Sequence, residues 1–258
     1  MGAAERTWFI TGASRGFGRE WATAALERGD RVAATVRDLG ALDDLVERFG
    51  ERILPLRLDV TDAASIAAAV AAAGPIDVLV NNAGFGAPAP LELTSAETVR
   101  ALFDTNTFGT IAVTQALLPG MRERGAGVIV NVTSSVTYKP LPLVGVYRAA
   151  KAAVNAFSES MAAEVAPFGI RVHLVLPGSS GETQFRASAA RHLHGVDDPV
   201  YGDFMRDALA RMQAMTGPGT RAQDVAQAVW RAANDASAPM RIAAGADAVA
   251  WAQEAAVA

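Results

Sequence analysis

The sequence predicts a doubly wound α/β fold: a mostly parallel sheet of about seven strands with helices on both faces. Short apolar runs recur along the 258 residues, and helical patterns fill the gaps between them. The runs are continuous in Val, Ile and Leu rather than alternating with polar residues. Continuous runs belong to parallel strands buried on both faces. Strand–helix–strand alternation with right-handed crossovers then winds helices around one sheet.

The strands read, in order, as TWFITG (7–12), RVAATV (31–36), ILPLRLDV (53–60), DVLVNNAG (77–84), GVIVNVTSS (127–135) and RVHLVLPG (171–178), with MRIAAG (240–245) as a short last strand. Between the first two, Phe17, Trp21, Ala24 and Ala25 fall on one face of a helix over 16–28. Asp62 caps a helix over 63–73. Residues 95–118 and 147–165 each suit a long helix, the second stopping before Pro167 and Gly169. No repeat or linker divides the chain, so 1–258 reads as one domain. Residues 179–220 break the rhythm. Ligands of such folds sit beyond the carboxyl ends of the strands, so this segment reads as a substrate lid or, alternatively, as a packed surface excursion.

Lys plus Arg number 23 against 27 Asp plus Glu, for a net charge of −4. That mixture argues against a general affinity for nucleic acid. Cysteine is absent, which removes disulfides, thiolate metal sites and a Cys nucleophile, and fits a reducing compartment. The start MGAAERTWFI has no signal-peptide pattern, and Arg6 stands where myristoylation after Gly2 wants Ser or Thr. No apolar run reaches the ~18 residues of a membrane span. A soluble, cytoplasmic chain without membrane partners is expected. His192 and His194, two apart, make a poor metal pair, and no metal site is expected.

The first strand runs into FITGASRGFG, with Gly12, Gly16 and Gly18. Glycine permits a tight turn and a close approach of phosphate oxygens. A helix N-terminus beyond it offers free N–H groups and partial positive charge. The stretch Thr11 to Gly18 (TGASRGFG), NNAG at Asn81–Gly84, and YRAAK at Tyr147–Lys151 occur in one order and at separations that resemble the short-chain dehydrogenase/reductase superfamily. The resemblance implies a Rossmann fold and a nicotinamide cofactor. It assigns cofactor contacts to Gly12, Ser14, Arg15, Gly16, Phe17, Gly18, Asp59, Val60, Asn82, Ala83, Gly84, Lys151, Pro177 and Gly178. After Pro177-Gly178 the chain departs from the family: Glu182 stands at the usual Thr spacing, so the carboxamide contact passes to Thr183.

An NAD site places a carboxylate at the tip of the second strand. Alignment with the family puts Val36 there, followed by Arg37, while Arg15 lies in the glycine loop. Two guanidiniums can fork a 2′-phosphate, so NADP(H) is the expected cofactor. In the other reading both arginines are solvated and Asp38 serves NAD(H).

Tyr147 and Lys151 share a helix face. A free phenol has a pKa of ~10, too high for a base at neutral pH. Lowering it by ~3 units takes about 4 kcal/mol, which one cation at ~4 Å in an effective dielectric of ~20 supplies; Lys151, helped by the positive charge of an oxidised nicotinamide, is expected to supply it. Ser134 precedes Tyr147 by the family's spacing, with Ser135 as the alternative register. The resemblance makes Tyr147 the acid/base, Ser134 the clamp on the substrate oxygen, Lys151 the pKa depressor and ribose ligand, and Asn106 the support of a water relay. Hydride transfer between nicotinamide and a ketone, aldehyde or secondary alcohol follows as the implied activity. A non-catalytic NADP(H) sensor on the same fold is the alternative, but such a sensor has no need of the four together. The sugar-modifying branch of the superfamily needs a larger C-terminal region than this chain has.

Phe85, Leu141, Val144 and Phe185 are the candidate walls of an apolar, medium-sized substrate pocket. Phe204, Met205, Met212 and Met215 either join them or seat the lid. Alanines along the Tyr147 helix allow close packing, either within the chain or in a homodimer or homotetramer.

Overall fold

The computed structural model describes residues 5–180, 189, 192–214 and 219–257. Among them, seven strands form one sheet: β1 (Thr7–Thr11), β2 (Arg31–Val36), β3 (Ile53–Arg57), β4 (Val78–Asn81), β5 (Gly127–Val132), β6 (Ile170–Pro177) and β7 (Arg241–Ala244). Their order is β3-β2-β1-β4-β5-β6-β7, and every neighbouring pair is parallel. The order reverses between β1 and β4, which opens a crevice at their carboxyl ends.

The side-chain directions explain why the strand runs do not alternate. Trp8 and Ile10 pack in one layer with Trp21, Leu26, Val225 and Val229. Phe9, between them, packs in the other with Ile66, Val113, Leu117 and Met121. Both faces are covered, so consecutive positions are apolar. The first layer is built by α1 (Gly16–Glu27), α2 (Asp43–Phe49) and α8 (Ala222–Asn234). The second is built by α3 (Ala63–Ala73), α5 (Gly109–Arg124) and the end of α6 (Gly145–Val165). Two further helices are α7 (Gly202–Ala214), inside the 179–220 segment, and α9 (Ala246–Val257) after β7.

The single helix expected over 95–118 is not continuous. Ser95 accepts from Thr98 N at 3.1 Å and starts α4 (Ala96–Phe103). A π-helical turn, Asp104–Phe108, separates it from α5. Helix α5 also runs past Pro119, because Leu117 and Met121 continue its buried face. It stops at Gly125, whose φ of +65° few other residues adopt.

Candidate active site

The β1–α1 loop is fixed from below by β4. Thr11 Oγ1 accepts from Asn82 N and Ala83 N, both at 2.9 Å. Asn82 Nδ2 donates back to Thr11 O (2.9 Å) and Gly12 O (3.1 Å). Gly12 and Gly16 have φ of +72° and +57°, which glycine adopts without strain. Gly18 serves packing: a Cβ there would meet Asn82 Nδ2 at 2.6 Å and collide with Gly12 O. Phe17 turns its ring inward onto Trp21, with centroids 6.0 Å apart.

Helix α1 starts at Arg15 without a side-chain cap. By contrast, α3 is capped by Asp62 and α4 by Ser95. An uncapped N-terminus behind a glycine turn leaves amide donors for an anion, so these residues fit a dinucleotide pyrophosphate. At the tip of β2, Asp38 accepts from Gly40 N at 3.2 Å and caps a short turn. Arg37 is exposed, and its field, after hydrogen bonds from Thr61, helps hold the Asp59 carboxyl below the usual range. Asp59 itself accepts from Thr61 N (2.9 Å) and Thr61 Oγ1 (2.7 Å), so it also caps the entrance to α3. Val60 packs under α5, where only a glycine fits at Gly109.

Three elements bring Asn106, Ser134, Tyr147 and Lys151 together: the π-turn, the turn after β5 and α6. Asn106 sits fully buried in the π-turn. Its Oδ1 accepts from Phe85 N and its Nδ2 donates to Phe85 O, each at 3.0 Å. The kink thus pins the strand-end loop that follows Asn81–Gly84. A Cβ on Gly84 would collide with Asn106 Oδ1 and lie 3.4 Å from Lys151 Nζ, so both groups flank one point. The π-turn is tied to α6 by Thr107 Oγ1, which donates to Ala150 O at 2.9 Å.

Ser134 ends the β5 run in extended backbone and caps a short turn, Ser135–Thr137. Its hydroxyl is hydrogen-bonded to Tyr147, whereas Ser135 is buried. Of the two registers, Ser134 is the one facing the phenol. Lys151 lies one turn along α6 and donates from Nζ to Val132 O at 2.9 Å.

Burial dominates the protonation of this group. It pushes the Tyr147 phenol up to about 12, against a smaller downward pull from the Ser134 hydrogen bond. It brings the Lys151 ammonium down to about 8. The expectation that Lys151 lowers the phenol concerned a site that also holds the positive charge of an oxidised nicotinamide; among the chain's own groups, desolvation penalises both ions.

The apolar candidates divide. Phe85 is half-buried and its ring lies 5.0 Å from that of His192. Leu141 and Val144 are half-buried near the start of α6. Met205 is fully buried in a cluster with Leu143 and Ala208, so it seats α7. Phe204 is half exposed. Thr183, Phe185, Glu182 and Met215 lie outside the described residues. Pro177 ends β6, and Gly178 leaves room for Asp247, which accepts from Ser179 N at 2.6 Å. Asp247 escaped the sequence reading, because its partners lie far away in the chain. An open hollow of about 620 Å³ between α8 and β7, lined by Arg221, Asp224, Arg231 and Ile242 among others, is bordered by none of these candidates. Among the described residues no three His, Asp or Glu side chains are grouped to hold a metal ion, and no helix is long and apolar enough to cross a membrane.

A parallel sheet with a glycine loop at its switch point and a Tyr–Lys helix beside it defines a nicotinamide-dinucleotide-binding class of oxidoreductase. The family model described as short chain dehydrogenase matches residues 6–193. Human retinol dehydrogenase 8 is 34% identical over 254 residues, covering 93% of this chain and 82% of that protein. A short-chain dehydrogenase structure from Streptomyces avermitilis superposes with a TM-score of 0.85 at 36% identity, covering 97% of this chain and 92% of the other. One from Burkholderia cenocepacia, in complex with NADP, gives 0.79 at 31% identity, covering 99% and 94%. The chain belongs to the short-chain dehydrogenase family.

Proposed function

We propose that the chain is an NADP(H)-dependent carbonyl reductase or alcohol dehydrogenase acting on an apolar, medium-sized ketone, aldehyde or secondary alcohol. The observation that carries this reading is the Tyr147–Ser134 hydrogen bond beside Lys151, at the switch point and above the Gly12–Gly18 loop. The loop and the uncapped start of α1 would hold the pyrophosphate, with Asn82, Ala83, Gly84 and Lys151 bordering the nicotinamide half. Bound there, the nicotinamide supplies or accepts the hydride. Tyr147, protonated at neutral pH, donates its proton to the substrate oxygen in reduction. Ser134 holds that oxygen while charge develops on it. Lys151, an ammonium that burial brings down to about 8, is suited to passing a proton toward Asn106 and solvent.

Two features support NADP(H) over NAD(H). The Asp38 carboxylate is turned to Gly40 N, and Arg37 stands exposed at the tip of β2. The apolar substrate is supported by Phe85, Leu141 and Val144 around the cleft, and by the name of the human relative, which acts on retinol. The lid reading for 179–220 is supported by its neck. Thr220 N donates to Ser179 O at 3.1 Å, and Asp247 accepts from Thr220 Oγ1 at 2.7 Å as well as from Ser179 N. A homodimer or homotetramer is supported by Ala149, Ala152, Ala156 and Ala163, which lie exposed on one face of α6. The cytoplasm is the compartment that fits a cysteine-free chain.

The test is a titration of the purified chain with NADPH and NADH, followed at 340 nm with aliphatic ketones, acetophenone and all-trans-retinal. NADPH oxidation on at least one carbonyl is expected. Tight binding without turnover in either direction would favour a nucleotide sensor. Arg37→Ala should weaken NADPH roughly 10- to 100-fold, the scale of a hydrogen bond to a charged group. NADH should change little, and equal losses would reject the 2′-phosphate assignment.

A further inference from the structure

Arg148 follows Tyr147 on α6, and among the described residues its guanidinium pairs with backbone carbonyls rather than with a carboxylate. Nε donates to Val136 O at 2.9 Å and Nη2 to Thr137 O at 3.3 Å. These are successive carbonyls of the short turn that Ser134 caps. The turn closes on itself: Thr137 Oγ1 donates to Ser134 O at 2.8 Å, and Tyr138 N to Ser135 O at 2.9 Å. Val136 N reaches Ser134 Oγ at 3.3 Å. A ring results. Arg148 holds Val136, Val136 holds the Ser134 hydroxyl, Ser134 meets the Tyr147 phenol, and Tyr147 is bonded in sequence to Arg148.

We propose that Arg148 is a positioning residue: its fork onto the Val136 and Thr137 carbonyls fixes the Ser134 hydroxyl against Tyr147. A serine hydroxyl turns freely about its side-chain bond, and the Val136 amide that orients it is a long contact. A shift of the turn away from α6 would carry the Ser134 hydroxyl, and the Val136 amide with it, away from the Tyr147 phenol. The guanidinium resists the shift because it is planar and carries donors spaced for two acceptors, which a lysine ammonium cannot reproduce. Charged donors also make the stronger bonds. Misplacing a reacting group by about 1 Å costs on the order of 10²-fold in rate, so a residue that touches no substrate can still set turnover.

The inference rests on the reading of Ser134 and Tyr147 above, and its test separates the two. Wild type, Arg148→Ala, Ser134→Ala and the double variant are assayed with NADPH and with acetophenone and all-trans-retinal as probe carbonyls. Arg148→Ala is expected to lower kcat about tenfold, within the coupling range of one hydrogen-bond network, while KM for NADPH stays within about twofold. In the Ser134→Ala background the same change should alter kcat by less than about twofold. Arg148→Lys should recover part of the loss and no more. Equal losses in both backgrounds, or a loss confined to KM or thermal stability, would overturn the positioning role. Full activity of Ser134→Ala, or a wild type that turns over no carbonyl, would overturn the underlying reading instead. Should Arg148→Ala fail to fold, Arg148→Gln keeps the stem and one donor group and carries the same cycle.

Discussion

The turn bearing Ser134 and the helix α7 both adjoin the start of α6, yet different forces hold them. Around Ser134 and Asn106 the ties are directional: side chains bond backbone groups at Phe85, Val132, Val136 and Ala150. Helix α7 is seated by apolar contact of Met205 and Ala208 with Leu143. Just before it, the exposed Tyr201 hydroxyl donates to Glu92 at 2.6 Å. Leu143 adopts a φ of +67°, a conformation that costs on the order of 1–3 kcal/mol in a non-glycine residue. Its burial against Met205 and Ala208 offsets that strain. Hydrogen bonds define an angle and hold atoms for chemistry; apolar contact has no preferred direction and lets a wall be re-seated.

The largest expected effect breaks the directional side. Tyr147→Phe removes the proton donor and should lower kcat about 10²- to 10⁴-fold, with NADPH affinity nearly intact in a fluorescence titration. Retained turnover would show that the ring of bonds around Ser134 serves the fold alone. The apolar side responds differently. Met205→Ala deletes a fully buried side chain, a change that costs about 2–5 kcal/mol where it is absorbed. If α7 absorbs it, carbonyl KM rises about tenfold and NADPH affinity holds; an unchanged KM would separate α7 from substrate binding.

The smallest effect is thermodynamic and sharpens the contrast. Burial holds Lys151 at about 8 in the folded chain, against an ordinary 10.5. Between those values the unfolded chain binds more protons, so this group's contribution to stability rises as pH goes from about 8 to 10.5. Tyr147, held at about 12 against an ordinary 10, acts oppositely: its contribution is complete below 10 and is lost as pH climbs to about 12. Near pH 7 the buried ammonium is a net burden. Lys151→Met should therefore raise Tm by a few degrees while abolishing turnover. A lower Tm at pH 7 in scanning calorimetry would mean that the bond to Val132 O outweighs desolvation.

Much of this was legible in the sequence, though unevenly. Trp8, Phe9 and Ile10 announce a strand buried on both faces, because no polar residue interrupts them. Gly12, Gly16 and Gly18 stand out by spacing, although the structure divides their work: the first two turn the chain and the third lets it pack. The π-turn at Asn106 was harder to read, since the bonds that hold its side chain go to Phe85, twenty-one residues away in sequence. Arg148 was hidden for the same reason, as its partners are backbone carbonyls that carry no residue identity.

Composition and local order by themselves determined the parallel sheet and the glycine turn at its first strand, features that depend on side-chain period and backbone freedom, which are properties of short stretches. The candidate group of Asn106, Ser134, Tyr147 and Lys151 came from the resemblance that the motifs carry. Only the tertiary structure decided that Ser134 rather than Ser135 meets the phenol, that Met205 seats α7, that Ala149, Ala152, Ala156 and Ala163 face outward while Ala150 is buried, and that burial raises Tyr147 and lowers Lys151. Each of these is set by what other segments bring to the same place, and desolvation has no signature in a linear sequence.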